Sequence, residues 1–223
     1  MIRSKLLLVG LLALAANTGH GGDADDAVLF RDTFQGKLAD GWSWRHEAPG
    51  DWRIGDRGLE VHVLPGTMWG PANDAKNLLM RRPPDDPQRR TLEVTASVWN
   101  HPTNQYEQVD LTWYFDDSNM VKVGEERVDG KLSVVMGREQ GDRTRTVSIT
   151  PLDSEAVQLR YRVKGNQVRG FVKTPKGEWR EVGHCDAPAA KGDPHICLQF
   201  YQGAKGGDHW ARVSDVTVRS VGE

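Results

Sequence analysis

The sequence predicts an all-β fold, an antiparallel sandwich of two sheets. Three observations carry that expectation. Leu92, Val94, Ala96 and Val98 alternate with Glu93, Thr95 and Ser97, and Val157 to Lys164 alternates just as regularly. Period two puts successive side chains on opposite faces of a strand. Turn signals recur roughly every eight to twelve residues, the spacing of short hairpin-linked strands. Beyond the N-terminal leader no segment sustains a helical period, and 24 Gly and 11 Pro suit a chain with many turns.

Taken in order, Val28–Phe34 reads as the first strand, with Asp32 inside it. Trp42 and Trp44 flank Ser43 and so point the same way. Short strands are predicted at Trp52–Ile54 and Leu59–Val63, around turns at Gly55-Asp56 and Gly58. Pro65 to Asn73 is a loop rich in breakers that nevertheless holds the apolar pair Met68-Trp69, either a plug over a sandwich edge or part of a binding rim. Pro83 to Pro87 is a hard break before the strand at Leu92. Gly165-Asn166 leads into Gln167–Lys173, and Pro175-Lys176-Gly177 into Trp179–Val182. In the last strand, Trp210 to Arg219, Ala211 and Val213 have one parity and Val216 and Val218 the other. Burying all four needs an extra residue, so a β-bulge is predicted at Ser214-Asp215.

The stretch Gln105 to Met136 organises the rest. Asp116-Asp117-Ser118-Asn119 and Asp129-Gly130 divide it into a three-stranded meander. Asp-Gly is a strong hairpin signal, because both residues tolerate positive φ. On the first strand Val109, Leu111, Trp113 and Phe115 share one face, and Gln108, Asp110, Thr112 and Tyr114 the other. On the second, Val121 and Val123 oppose Lys122, Gly124 and Glu126. The polar row is either a solvated face or a floor that grips a hydrogen-bonding ligand.

The same stretch carries a resemblance. Tyr106-Glu107-Gln108-Val109-Asp110-Leu111, then Asp116 through Gly124 (D-D-S-N-M-V-K-V-G), with Trp69-Gly70 and Asn73 through Leu79 upstream, resembles concanavalin A-like β-sandwiches. The similarity is to the C-terminal accessory domain of family-43 β-xylosidases and its stand-alone relatives, over roughly Asp32 to Val218. It implies a concanavalin A-like jelly roll. One departure stands out: Asp110 occupies a position where that family usually carries Gly.

The chain has 223 residues, enough for one large β domain. Residues 1–20 read as a signal peptide: Arg3 and Lys5 precede an apolar Leu6–Ala16, with Ala13-Leu14-Ala15 as a cleavage motif. Residues 21–27 form a linker, and 28–220 the domain. Export to the periplasm or outside the cell follows, with no membrane span after cleavage. A net charge of −2 supplies no broad field for nucleic acid. Nothing in the sequence sets an oligomeric state. Cys185 and Cys197, the only cysteines, are expected to pair in an exported chain. His184 and His195 alone make no zinc pattern.

The carboxylates are poorly arranged for glycoside hydrolysis. Laminarinase-like enzymes on such folds alternate carboxylates along one strand face. Here Glu107 and Asp110 are three apart, and Thr112 stands two beyond Asp110. Asp110 and Glu126 remain a possible acid–base pair across neighbouring strands, unless Lys122 simply neutralises them. No cofactor is required. A structural calcium is allowed, with Asp32 and Asp215 as its nameable ligands.

The function expected is recognition of an oligosaccharide or polysaccharide by a lectin-like domain. Saccharide sites join flat aromatic faces to planar polar groups, and Trp 8 exceeds Phe 5 and Tyr 4. The floor is expected from Gln108, Asp110, Tyr114, Lys122 and Glu126. Trp69, Asn73, Asp74 and Asn77 are expected over one rim, with His209 and Trp210 over the other. The alternatives are a glycan-active hydrolase or lyase in the same groove, and a structural accessory module for a catalytic partner.

Overall fold

The computed structural model describes residues 26–222. The expected signal peptide, and all but the last two residues of the expected linker, lie outside that range. In chain order the strands are β1 (Ala27–Asp32), β2 (Ser43–Arg45), β3 (Trp52–Gly55), β4 (Gly58–His62), β5 (Leu78–Arg81), β6 (Thr91–Trp99), β7 (Gln108–Asp116) and β8 (Asn119–Val128). There follow β9 (Lys131–Gln140), β10 (Arg143–Pro151), β11 (Ala156–Lys164), β12 (Gln167–Lys173), β13 (Arg180–Asp186), β14 (His195–Tyr201) and β15 (Trp210–Val221). A 3-10 turn at Pro49–Asp51 is the sole helical element among the described residues. No helix among them is long and apolar enough to cross a membrane.

The strands form two antiparallel sheets. Sheet A runs β13-β12-β11-β6-β15-β4-β3, with β1 also paired to β15; sheet B runs β10-β9-β8-β7-β14-β5-β2. Between them lies the predicted core: Leu92, Val94, Leu159 and Tyr161 from sheet A meet Val109, Leu111, Trp113 and Val123 from sheet B, all buried. The expected β-sandwich is therefore present.

Local expectations meet the structure in detail. Asp129 and Gly130 take φ 49° and 76°, the geometry of a two-residue turn between paired Val128 and Lys131. The register of β15 slips between Val213 and Asp215, the predicted bulge, so that Val213 and Val216 are both fully buried. The first strand stops at Asp32, because Phe34 turns to φ 54° and into the core. Asp32 enforces that turn by accepting from Phe34 N (2.7 Å), Ala39 N (2.9 Å) and Trp42 Nε1 (2.9 Å). Strands β5, β10 and β14 had no clear sequence signal. Most side chains of β14 are buried, and the start of β10 is exposed, so neither shows clean alternation.

The disulfide is a correction: Cys185 and Cys197 are both free and buried. Parity explains it. Cys185, on β13, packs into the core between the sheets, whereas Cys197, on β14, faces the outer side of sheet B with Tyr114 and Tyr201. Burial pushes both thiols above their ordinary value.

Candidate functional site

The outer side of sheet B is not a solvated face. A second apolar cluster, Met68, Ala75, Leu78, Tyr114, Met120, Cys197 and Tyr201, covers part of it. The cover is the segment after β4. Its neck is closed by Gln202 N donating to Gly66 O (3.0 Å) and Gly203 N to Leu64 O (3.0 Å). Its tip is tied by Thr67 N to Asp74 Oδ1 (2.8 Å) and Asp74 N to Thr67 O (3.0 Å). Met68 and Trp69 divide the two sequence readings between them. Met68 is a fully buried plug, and Trp69 is a partly buried wall.

Beside this plug the polar row of β7 and β8 meets as parity required. Lys122 is its hub, with 2% exposure. Its ammonium donates to Gln108 Oε1 and to Glu126 Oε2 (3.2 Å), and lies 3.6 Å from Asp110 Oδ2. The Tyr201 hydroxyl is 3.5 Å away, and the Trp69 ring centroid 4.9 Å. Two glycines make room for this packing. A Cβ on Gly137 would sit 2.5 Å from the Trp69 ring, so the indole rests directly on the β9 backbone. A Cβ on Gly124, the cross-strand partner of Asp110, would sit 1.6 Å from Asp110 Oδ1. The Asp110 carboxylate thus occupies the space that Gly124 leaves open.

The row is electrically under-supplied. No donor meets either Asp110 oxygen at full hydrogen-bond distance and angle, although the Tyr201 hydroxyl and the Lys122 ammonium are near enough to favour its charged form. Burial pushes Asp110 up to about 6, against the pull of Lys122 and with the push of Glu126. Glu139, on the same side of β9 and also 0% exposed, accepts Gly70 N (3.1 Å) through one oxygen only. Burial raises it to about 7, opposed by that N–H. Three carboxylates and one ammonium therefore share this side of the sheet.

Above the row opens a cavity of about 420 Å³, lined by Trp69, Gln108, Lys122 and Glu126 and also by Tyr106, Val135, Ile149 and Gln202. Tyr106 is 48% exposed. Tyr106, Asp129 and Gln202 all line the cavity at positive φ (65°, 49° and 63°). For Tyr and Gln this is a sparsely populated conformation that the surroundings must hold. Gln108 helps, donating through Nε2 to Tyr106 O (2.7 Å).

Of the expected site residues, Trp69, Gln108, Lys122 and Glu126 wall this cavity, and Asp110 lies buried at the base of the row. The others lie elsewhere. Tyr114 sits in the second apolar cluster and donates to Asp117, which also pairs with Arg45. Asn73 turns its amide nitrogen to Asp117 O (3.0 Å) and Gly70 O (3.1 Å), and Asp74 ties the loop tip. Asn77 is buried against Ala48 N (2.7 Å). His209 bonds Glu107, whose carboxylate, despite burial, is held low by that contact and by the N–H groups of Asn104 and Thr103. Trp210 belongs to the other sheet, stacked on His62 (5.3 Å) under Arg53 (4.2 Å). Tyr106, Tyr201 and Glu139 are the residues the sequence reading missed.

Asp32 and Asp215 do not form an oxygen cage. Three N–H groups fill the Asp32 carboxylate, and Asp215 accepts from Arg31 Nε (2.7 Å) and Thr217 Oγ1 (2.8 Å). A cation needs oxygens there, not donors. Among the described residues no group of three His, Cys, Asp or Glu is placed to hold a metal.

The two antiparallel sheets define the class, a β-sandwich. The family described as "Beta xylosidase C-terminal Concanavalin A-like domain" matches residues 31–207, and this chain belongs to it. Three solved structures are similar. One is the GH43 protein BlXynB from Bacillus licheniformis, with TM-score 0.75 and 14% identity over 85% of this chain and 39% of that one. Another is the xylan beta-1,4-xylosidase from Bacillus Halodurans C-125, with TM-score 0.71 and 17% identity over 85% of this chain and 39% of that one. The third is a functionally unknown protein from Saccharomyces cerevisiae, with TM-score 0.60 and 13% identity over 82% of this chain and 97% of that one. The chain thus spans well under half the length of the two Bacillus proteins. No curated protein matches it.

Proposed function

We propose that this chain is a carbohydrate-recognition domain, exported to the periplasm or the cell exterior, that holds part of a glycan in the cavity over β7–β9. The observation that carries the reading is the Lys122 hub. A buried ammonium, an amide and a carboxylate converge on the base of a cavity with aromatic walls at Trp69 and Tyr106. A pyranose offers hydroxyls to the first three and C–H faces to the rings. Family membership supports a glycan-related role, and the leader-like N-terminus supports export.

The test is a glycan-binding screen with a parallel reducing-sugar assay. Binding without release of reducing ends is the expected outcome. Tyr106→Ala removes an exposed ring and should keep the native melting temperature while weakening the bound glycan about tenfold, near 1.4 kcal/mol. Gln108→Ala removes a neutral amide partner worth about 0.5–1.5 kcal/mol to a ligand that uses it. Release of reducing ends would make the chain an enzyme. Unchanged affinity in both variants would move the site off this cavity.

A further inference from the structure

The outer face of sheet A is built on a different plan, and the cavity reading makes no use of it. Parity sends every second residue of β6, β11, β12 and β15 to this face. Arg53, Arg31, Arg160, Arg162, Arg169, Arg212 and Arg219 gather there, against Glu60, Glu93, Glu181 and Asp215. The seven arginines outnumber these four carboxylates, and Lys164 and Lys173 line the same grooves, in a chain whose net charge is −2. Glu93 is shared by two arginines, Arg162 at 2.7 Å and Arg160 at 3.2 Å. Among the described residues Arg212 and Arg219 have no carboxylate at ion-pair distance.

The arginines are also pre-positioned. Arg160 lies 3.6 Å from the Trp179 ring centroid, Arg212 5.3 Å from Trp99, and Arg162 and Arg169 5.4 and 5.7 Å from Phe171. A guanidinium against a ring loses side-chain freedom; of these four, Arg212 keeps its N–H edge open for a bidentate acceptor, while Arg160 and Arg162 are held on Glu93 and Arg169 on Glu181. Three grooves lie in line along the strands. Arg212 and Trp99 line the first, Arg160 and Arg219 the second, and Arg162 and Arg169 the third. Gln158 lines both of the first two. The track follows β6 from Trp99 to Thr91, eight steps of about 3.3 Å or roughly 26 Å.

We propose that this track binds a linear anionic polysaccharide that carries its charge as carboxylates, a uronate polymer. Spaced guanidinium edges match spaced carboxylates, while Thr95, Thr217 and Gln158 between them suit hydroxyls. Nucleic acid fits less well. The rings on which its bases would stack already carry guanidinium groups.

The experiment is affinity electrophoresis of the native chain through gels containing polygalacturonate, or the same polymer fully methyl-esterified. Retardation is expected with the acid polymer alone, and added salt should abolish it. The triple variant Arg162→Gln, Arg212→Gln, Arg219→Gln takes one cation from each groove and leaves Arg160 on Glu93. It should bind about tenfold more weakly or worse. A charge-matched control on sheet B, Lys131→Gln, Arg143→Gln, Arg145→Gln, should bind as the native chain does. So should Tyr106→Ala, which separates this surface from the cavity. The proposal fails if the native chain is not retarded, if the esterified polymer retards it equally, if both triples lose equally, or if single-stranded DNA at equal charge retards it more.

Discussion

Each sheet turns a polar row outward, and each row centres on a buried carboxylate, but the two are satisfied in opposite ways. On sheet A, Glu93 (5% exposed) receives two guanidinium groups at 2.7 and 3.2 Å. On sheet B, Asp110 (0% exposed) has one ammonium at 3.6 Å, which is also held by Gln108 and Glu126. Arginine supplies several donors in a fixed fork, lysine a single point charge. The sheet A row is therefore closed within itself, apart from its surplus cations. The sheet B row keeps unfilled acceptors on Asp110 and Glu139. The members of this row that line the cavity are Gln108, Lys122 and Glu126, which is why the cavity lies at the centre of the proposed function.

The largest effect should come from the hub. Lys122→Met leaves Glu126 and Asp110 buried without a cation, and should cost about 3–5 kcal/mol near pH 8, read by urea unfolding. The loss should shrink near pH 5, where Asp110, pushed up to about 6, is already protonated. An equal loss at both pH values would mean that the ammonium does not neutralise this row.

Glu139 gives the next contrast, with the opposite sign. Its folded value of about 7 stands above its ordinary 4.5, so the folded chain holds this proton more tightly than the unfolded one. That contribution is complete below about pH 4.5 and is lost as pH rises through about 7. Glu139→Gln keeps an acceptor for Gly70 N and removes the titration. Relative to the native chain it should gain up to about 3 kcal/mol between roughly pH 5 and pH 8, measured as a difference in unfolding free energy. A flat difference would show that solvent reaches this carboxylate. Smaller again is Gly137→Ala. The new methyl would meet the Trp69 ring at 2.5 Å, so the indole must move, at about 1–3 kcal/mol. Tryptophan fluorescence should shift and glycan affinity fall together.

How much of this was legible depended on whether one strand's parity was enough. The β7–β9 meander and its facing of Gln108, Lys122 and Glu126 followed from parity and the Asp129-Gly130 turn alone. The bulge in β15 followed from one parity fault. Tyr201 did not, because it comes from a strand 79 residues beyond Lys122 whose neighbour and register no local pattern states. Trp210 was misplaced for the same reason: its pairing with His62 puts it on sheet A. The disulfide failed because cysteine count ignores facing. Burial of the polar row was invisible, since it depends on a loop folding back through contacts such as Gln202 N to Gly66 O. Glu139 was within reach, an even number of residues from Gly137 on the third strand of the meander.

The smallest expected effect tests the other half of the comparison. Arg162→Gln removes a guanidinium whose side chain is 40% exposed, and Glu93 keeps Arg160 at 3.2 Å. No buried charge is left alone. The Coulomb attraction lost is partly screened by water, and the substitution relieves some side-chain ordering. The cost should therefore be below about 1 kcal/mol, read from urea unfolding beside Lys122→Met. Removing the deeper Arg160 (15% exposed) as well would strand Glu93 at 5% exposure. Arg160→Gln combined with Arg162→Gln should then cost more than the two single changes added together. That excess is the mark of two arginines sharing one carboxylate. If the single change at Arg162 costs as much as Lys122→Met, the sheet A row is as strained as its counterpart, and the contrast between the two faces is lost.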